Sequence, residues 1–173
     1  MKYALAFVLA FLLAILEVSF MPYFQVLEVT PSLVLMFVAS WAVVRGQEEA
    51  FVVVPLAGFI RDLVTSDPLG TSALAFTPIV LLAAAVQLRS MDSDFVPTVM
   101  VVAAGSLSYG IISLLILATA GQSMPWMDGM LTAVLPLVVV NALFTPVVYL
   151  PVRWVGARST TRILGPNRIT SPL

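Results

Sequence analysis

Four polar residues stand out because each lies within or at the end of a long apolar stretch. Glu17, Arg61 and Asp62 are ionisable, and Asn141 carries an amide near the middle of its stretch. Where such stretches cross a membrane, ionisable groups are costly and mark functional or paired positions, and an amide must find hydrogen bonds. These residues are therefore candidates for ion pairing, for interhelical hydrogen bonding, or for binding a ligand or partner.

The expected contacts of these residues follow from their positions on helices. Glu17 lies one turn from the end of its stretch, so it either reaches the interface or faces inward and pairs with Arg61. Adjacent residues on a helix do not face one another. Arg61 and Asp62 should therefore contact different neighbours, in interhelical or helix-end pairs or in a ligand site. Asn141 should hydrogen-bond a neighbouring helix or, alternatively, serve a ligand.

The sequence carries no recognisable catalytic set. It has no histidine and no cysteine, which removes the commonest general base and metal ligand as well as disulfides and thiolate chemistry. A serine without a nearby histidine or lysine has no activating group. The loop carboxylates Glu48, Glu49, Asp92 and Asp94 have the pattern of solvated charges. We therefore expect a protein that is not an enzyme and that needs no cofactor and no metal.

The composition indicates a membrane protein. Of the 173 residues, 61% are hydrophobic and only 10% are charged, whereas soluble domains are about 25% charged. That leaves too little polar surface for a soluble globular fold, and it also excludes a disordered chain, a collagen and a nucleic-acid-binding domain. One span needs about 20 residues, so six spans would occupy about 120 residues and leave only short loops and a tail.

Charge-free stretches predict an all-α, polytopic membrane protein with six transmembrane helices. The N-terminal stretch is interpreted as a retained span, since no small-x-small cleavage site of a signal peptide follows it. Spans two and three are short, and a re-entrant hairpin is the alternative. A hairpin would sink Arg45, Glu48 and Glu49 into the membrane at about 2.5–3.5 kcal/mol each. The predicted spans run from about Tyr3 to Phe20, Ser32 to Val44, Glu49 to Val64, Leu69 to Leu88, Phe95 to Ala120 and Asp128 to Leu150.

The basic residues predict the orientation, because cytoplasmic loops are enriched in Lys and Arg. With the N-terminus inside, seven of the eight basic residues lie on the inner side, and only Arg61 falls towards the outer half. We expect a six-helix domain over residues 1–152 and a basic cytoplasmic tail over residues 153–173, with both termini in the cytoplasm. The tail either contacts anionic lipids or only marks the topology. The seven inner residues are Lys2, Arg45, Arg89, Arg153, Arg158, Arg162 and Arg168.

Small residues recur at helical spacing on two of the predicted spans. Ala6, Ala10 and Ala14 line one face of span one, and Ser106 and Gly110 form a small-xxx-small pair on span five. Such faces let helices approach closely. They serve either packing within the chain or the docking of a partner's helix, and the sequence leaves both open.

The segment between spans three and four has the pattern of a turn followed by a helix start. Asp67 suits a helix N-cap, Pro68 suits the first helical turn, and Gly70 follows shortly after. This capping role is compatible with a family motif at the same positions.

Together these features resemble the rod shape-determining protein MreD family of bacteria. The most specific match is the pair Gly58 and Asp62, four residues apart on span three, followed by the segment Pro68-Leu69-Gly70 at the start of span four. The resemblance covers most of the chain, roughly Ala4 to Trp154. Further matching segments are Pro31-Ser32-Leu33 and Arg45-Gly46, at the two ends of span two.

The resemblance implies an integral protein of the bacterial inner membrane that belongs to the cell-elongation complex, or elongasome, which builds lateral peptidoglycan. Members associate with the bitopic protein MreC and, through it, with the MreB filament, the glycosyltransferase RodA and a class B penicillin-binding protein. Their fold is similar to the substrate-binding components of energy-coupling-factor transporters, which implies six helices with room for a cavity. The chain departs from the family at Ser32, where aspartate is frequent, so a role of that acid in capping or partner binding does not carry over.

Two hypotheses follow from the residues and the resemblance. The leading one is a non-catalytic membrane scaffold that binds MreC and helps organise the synthesis of lateral cell wall. The alternative is a small transporter or a lipid- or small-molecule-binding component, with Glu17, Arg61, Asp62 and Asn141 around a central site. Transport requires these side chains to point into one cavity, whereas individually paired side chains favour the scaffold.

Overall fold

A computed structural model describes residues 2–65, 68–87, 94–119 and 125–160 of the chain. Most of these residues are helical, and the described part of the chain includes no β-strand; an isolated bridge joins Val26 and Val29. A short 3-10 helix, Met21–Tyr23, follows the first helix, and a π-helical segment, Met130–Val134, precedes the last. The α-helices are α1 Lys2–Phe20, α2 Leu33–Arg45, α3 Gln47–Val64, α4 Thr71–Gln87, α5 Phe95–Thr119, α6 Trp126–Gly129 and α7 Leu135–Thr160.

Helix α2 is the centre of the bundle. All of its residues from Leu33 to Val43 are buried, and α1, α3, α4, α5 and α7 all pack against it. A helix that is apolar on every side is stable only when it is surrounded, and the one polar side chain in its middle, Ser40, donates to the Met36 carbonyl at 2.7 Å. At 1.5 Å per residue α2 is only about 20 Å long. Its shortness is tolerated because protein, and not lipid, covers it.

A single residue, Gly46, connects α2 to α3. Its φ of +97° lies in the region that glycine adopts without strain, and its N–H donates to the Ala42 carbonyl at 3.2 Å. The Gln87 amide on α4 donates to the same carbonyl, also at 3.2 Å. The tight turn therefore folds α3 back directly against α2.

Helices α3 and α4 approach closely at Gly58. A Cβ atom on Gly58 would lie 2.6 Å from the backbone N and Cα of Ala73, a separation that side chains do not adopt. The glycine that contributes to the family resemblance is therefore required by the contact between two backbones.

Three helical stretches are long and apolar enough to cross a membrane: Tyr3–Tyr23, Phe95–Thr119 and Trp126–Val155. Leu33–Arg45 and Thr71–Gln87 are apolar but shorter. Large apolar side chains cover the outer faces, among them Phe51, Leu81 and Leu143, which are 70–74% exposed. This surface suits a hydrocarbon environment and identifies a membrane protein, whereas the six-span topology stays a prediction.

The helix bounds differ from the predicted spans mainly at the C-terminus. The last helix extends to Thr160 through Pro146 and Pro151, beyond the predicted end at Leu150 and into the predicted tail. Apolarity sets the predicted end, whereas the helical backbone continues through the charged residue Arg153. Asp67, Arg89, Asp92 and residues 161–173 lie outside the described residues.

Candidate functional site

Glu17 and Arg61 form an ion pair between α1 and α3. The Arg61 Nε donates to Glu17 Oε1 at 2.7 Å, and both residues are more than nine-tenths buried. The structure thus places Glu17 inward, in the arrangement that makes Arg61 its partner. A hydrogen bond between two charged groups is stronger than one between neutral groups, and the burial of this ion pair keeps water from competing for it.

The same Glu17 carboxylate lies at the N-terminus of α2. Its Oε2 accepts from the Val34 N–H at 2.9 Å, and the Ser32 hydroxyl lies 3.2 Å from both carboxylate oxygens. Ser32 is also the N-cap of α2 and accepts from the Leu35 N–H at 3.4 Å. The free N–H groups and positive dipole end of a helix favour an anion. The Glu17 carboxylate from α1 therefore lies at the start of α2. At that helix start this chain has Ser32 in place of the aspartate that is frequent in the resembled family.

Arg61 extends this pair to two further helices. Its Nη1 lies 2.6 Å from the Ser72 hydroxyl on α4, and its guanidinium stacks 4.9 Å from the centre of the Tyr109 ring on α5. A cation over an aromatic face is attracted by the ring. One arginine therefore links α1, α3, α4 and α5.

Asp62 contacts a different neighbour from Arg61 and caps the start of α4. It accepts from the Gly70 N–H at 2.8 Å and from the Ser72 N–H at 3.0 Å. Gly70 has a φ of +93° and open space at its Cβ position, so conformation is what favours glycine there. The predicted cap Asp67 lies outside the described residues, and Asp62 supplies a capping carboxylate from the neighbouring helix.

Asn141 joins α7 to α2 and α5. Its Oδ1 accepts from the Ser32 N–H at 2.8 Å, and its amide donates to the Ser106 hydroxyl at 2.9 Å. The residue is fully buried. Through Ser32 the amide meets the Glu17 carboxylate, so that one connected polar network ties together α1, α2, α3, α4, α5 and α7.

The small-residue faces pack within the chain. Ala6, Ala10 and Ala14 are fully buried on α1, which packs against α2 and α3. Ser106 bonds to Asn141, and a Cβ on Gly110 would lie 2.6 Å from a methyl carbon of Val134. Neither face is available to a partner's helix in this arrangement.

A cavity of about 500 Å³ reaches part of this network. Glu17, Ser32 and Arg61 are part of its lining, and α5 contributes Tyr109 and Ser113. Asp62 and Asn141 are absent from the lining. Of the four predicted polar residues, Glu17 and Arg61 therefore line the cavity. Asp62 and Asn141 do not line it and make their hydrogen bonds elsewhere in the bundle. The remaining lining residues are Gln25, Glu28, Val29, Thr30, Gly110, Leu114, Leu117, Ala133, Val134 and Leu137.

Sequence reasoning missed Ser72, Tyr109 and Glu28. Ser72 follows Gly70 at a helix start, a position where its hydroxyl is available to a neighbouring helix. Tyr109 is the aromatic residue within the small-residue stretch of α5, between Ser106 and Gly110. Glu28 has no comparable signal, since an acidic residue in a loop is ordinarily solvated.

These observations define a class: an all-helical membrane protein whose buried polar side chains bind its helices to one another. Among the described residues, no group of three or more His, Cys, Asp or Glu side chains is placed to hold a metal ion. Residues 1–155 match the family described as rod shape-determining protein MreD, and the chain belongs to that family. No curated protein and no solved structure matches the chain. The similarity to energy-coupling-factor components therefore stays a prediction.

Proposed function

We propose that this chain is a non-catalytic scaffold subunit of the cell-elongation complex, which binds the membrane helix of MreC and helps organise lateral peptidoglycan synthesis. Membership of a shape-determining family supports this role. The polar network supports it as well, because its side chains are occupied in holding six helices together. MreB, RodA and a class B penicillin-binding protein would be reached indirectly, through MreC.

The observation that carries the proposal is an apolar groove of about 350 Å³ between α1 and α7. Its floor is formed by Leu33 and Phe37 of α2, the helix that is elsewhere enclosed. From Leu9 to Met21 the groove follows α1 and the start of the adjoining 3-10 helix for about 18 Å, at about 1.5 Å per residue. That length suits several turns of a single apolar helix from a bitopic partner. The walls are Leu9, Leu13, Leu16 and Met21 on one side and Val147, Val148, Pro151, Val152 and Val155 on the other.

The proposed topology has six spans in the inner membrane with both termini in the cytoplasm. The short turn with Arg45 and Gly46 then lies on the inner side, and the Glu17 network and the cavity lie towards the outer side. The positive-inside distribution supports this orientation. MreC's helix would bind the groove within the hydrocarbon core of the membrane. Without MreC, membrane lipids would fill the groove.

Co-purification with the same bacterium's MreC in mild detergent tests the proposal. Leu13→Trp fills the groove and should lower the yield of complex several-fold. Leu12→Trp is the matched control, because Leu12 is its 51% exposed neighbour on α1 and does not line the groove. Helical content and thermal unfolding of each variant establish that it is folded. Equal yields from both variants, or no complex with folded wild type, would contradict the proposal.

A ligand-binding or transport component is the second candidate, and the cavity is the observation that favours it. Glu17 and Arg61 face the cavity, as a binding site requires. Native mass spectrometry of the purified protein tests this function directly. A retained lipid or metabolite that is lost in a cavity variant such as Ser113→Trp would support it, whereas a bare protein mass would count against it.

A further inference from the structure

The cavity carries an excess of negative charge. Its lining contains two carboxylates, Glu17 and Glu28, and one guanidinium, Arg61. The guanidinium is already held by Glu17, by the Ser72 hydroxyl and by the Tyr109 ring. Among the described residues, Glu28 makes neither a hydrogen bond nor an ion pair. An entering cation would therefore find one uncompensated carboxylate.

The backbone that presents Glu28 is unusual. Leu27 and Glu28 have φ angles of +56° and +64°, which residues other than glycine rarely adopt. The Val26 and Val29 backbones hold this turn closed with two reciprocal hydrogen bonds of 3.1 and 3.2 Å. Backbone conformations of this kind cluster at ligand sites. The turn therefore fixes the backbone position of Glu28, whose exposed side chain lines the cavity.

A second part of the cavity lining also departs from regular α-helical structure. The π-helical segment Met130–Val134 contributes Ala133 and Val134 to the lining, and single π-turns within helices frequently occur at functional sites. Leu114, Leu117 and Leu137 complete an aliphatic surface. The cavity thus combines an acidic group with an apolar wall, and its volume of about 500 Å³ lies within the range of ligand sites.

We propose that this cavity binds a cationic group carried on an aliphatic stem, with Glu28 as its counter-ion. The source is a lysine or arginine side chain in the segment of the partner that leaves the membrane on the outer side. This assignment of source rests on the proposed function. A free amine with an aliphatic body has the same chemistry, so the test separates the two sources.

The absence of cysteine from the chain allows a direct test by thiol labelling. Ser113→Cys places a thiol in the cavity, and Thr119→Cys places one at the exposed end of the same helix as a control. Each is treated with impermeant methanethiosulfonates carrying either trimethylammonium or sulfonate. The cation-to-anion rate ratio at Ser113→Cys should exceed the control ratio about tenfold. Adding Glu28→Gln should remove most of that excess. Equal ratios at the two sites, or no effect of Glu28→Gln, would overturn the proposal.

Protection experiments then identify the source. If co-purified MreC slows labelling at Ser113→Cys but not at Thr119→Cys, a partner side chain occupies the cavity. If lysine ethyl ester protects the cavity and bound MreC does not, a free cation is the ligand and the assignment to the partner is wrong. Failure of MreC to co-purify contradicts the proposed function alone, because the charge preference is measured on the isolated chain.

Discussion

Removing the Glu17 carboxylate should be among the most destabilising single changes in this protein. Glu17→Leu removes the carboxylate that accepts from three buried donors: the Arg61 Nε, the Ser32 hydroxyl and the Val34 N–H. Breaking a buried ion pair by removing one partner costs about 3–5 kcal/mol. The cavity reaches Arg61 and Ser32, so in the variant water from the cavity can solvate these two of the three donors. We therefore expect the lower end, about 3 kcal/mol.

The free energy of unfolding in mixed micelles, followed by circular dichroism, measures this cost. Glu48→Ala is the control, since Glu48 is an exposed residue near the start of α3 and should change the value by less than about 0.5 kcal/mol. The double variant Glu17→Leu/Arg61→Leu should be more stable than Glu17→Leu alone, because replacing both partners by apolar groups removes the uncompensated charge. A Glu17→Leu variant as stable as wild type, or a double variant that costs the sum of the two single changes, would refute this reasoning.

Three further changes test the remaining contacts. Asp62→Ala should lower the yield of the MreC complex more than Glu48→Ala does, because it leaves the start of α4 uncapped; equal yields would remove the distinction. Gly58→Ala should cost about 1–3 kcal/mol in unfolding free energy, since its new methyl group would overlap the Ala73 backbone; an unchanged value would contradict that contact. Asn141→Leu should cost about 1–2 kcal/mol by the same measurement, and a more stable variant would show that its two hydrogen bonds contribute nothing net.

The sequence predicts the helices well because apolar runs and charge boundaries are local properties. Five of the six predicted spans correspond to helices whose described ends differ by only a few residues from the prediction, and the sixth extends further, to Thr160. Apolarity does not reveal where a helical backbone stops when the next residues are also good helix formers. The lack of a polar face on α2 is consistent with its central position, because such a helix must be covered on all sides.

The site is less predictable because its contacts join distant parts of the chain. Arg61 is a natural candidate partner of Glu17, since both are charged and both fall towards one side. The bond from Ser32 to Asn141 spans 109 positions, and no local pattern indicates it. The cavity depends on a π-helical segment and on two residues with positive φ, which composition and periodicity do not reveal. Physical reasoning therefore identifies which groups need partners, and the fold decides which partners they receive.

The connected network favours a static scaffold over a transporter. Transport by alternating access would require the cavity to open towards the inner side, past Ser32 and the start of α2. That opening would break the Ser32–Asn141 and Glu17–Arg61 contacts and would move α2, which is buried from Leu33 to Val43 against five helices. Each broken contact would leave a buried polar group unpaired, and the displaced helix carries no polar side of its own to line an open path. A fixed bundle requires none of these changes, and it presents an apolar groove to a membrane helix while keeping an acidic cavity open on its other side.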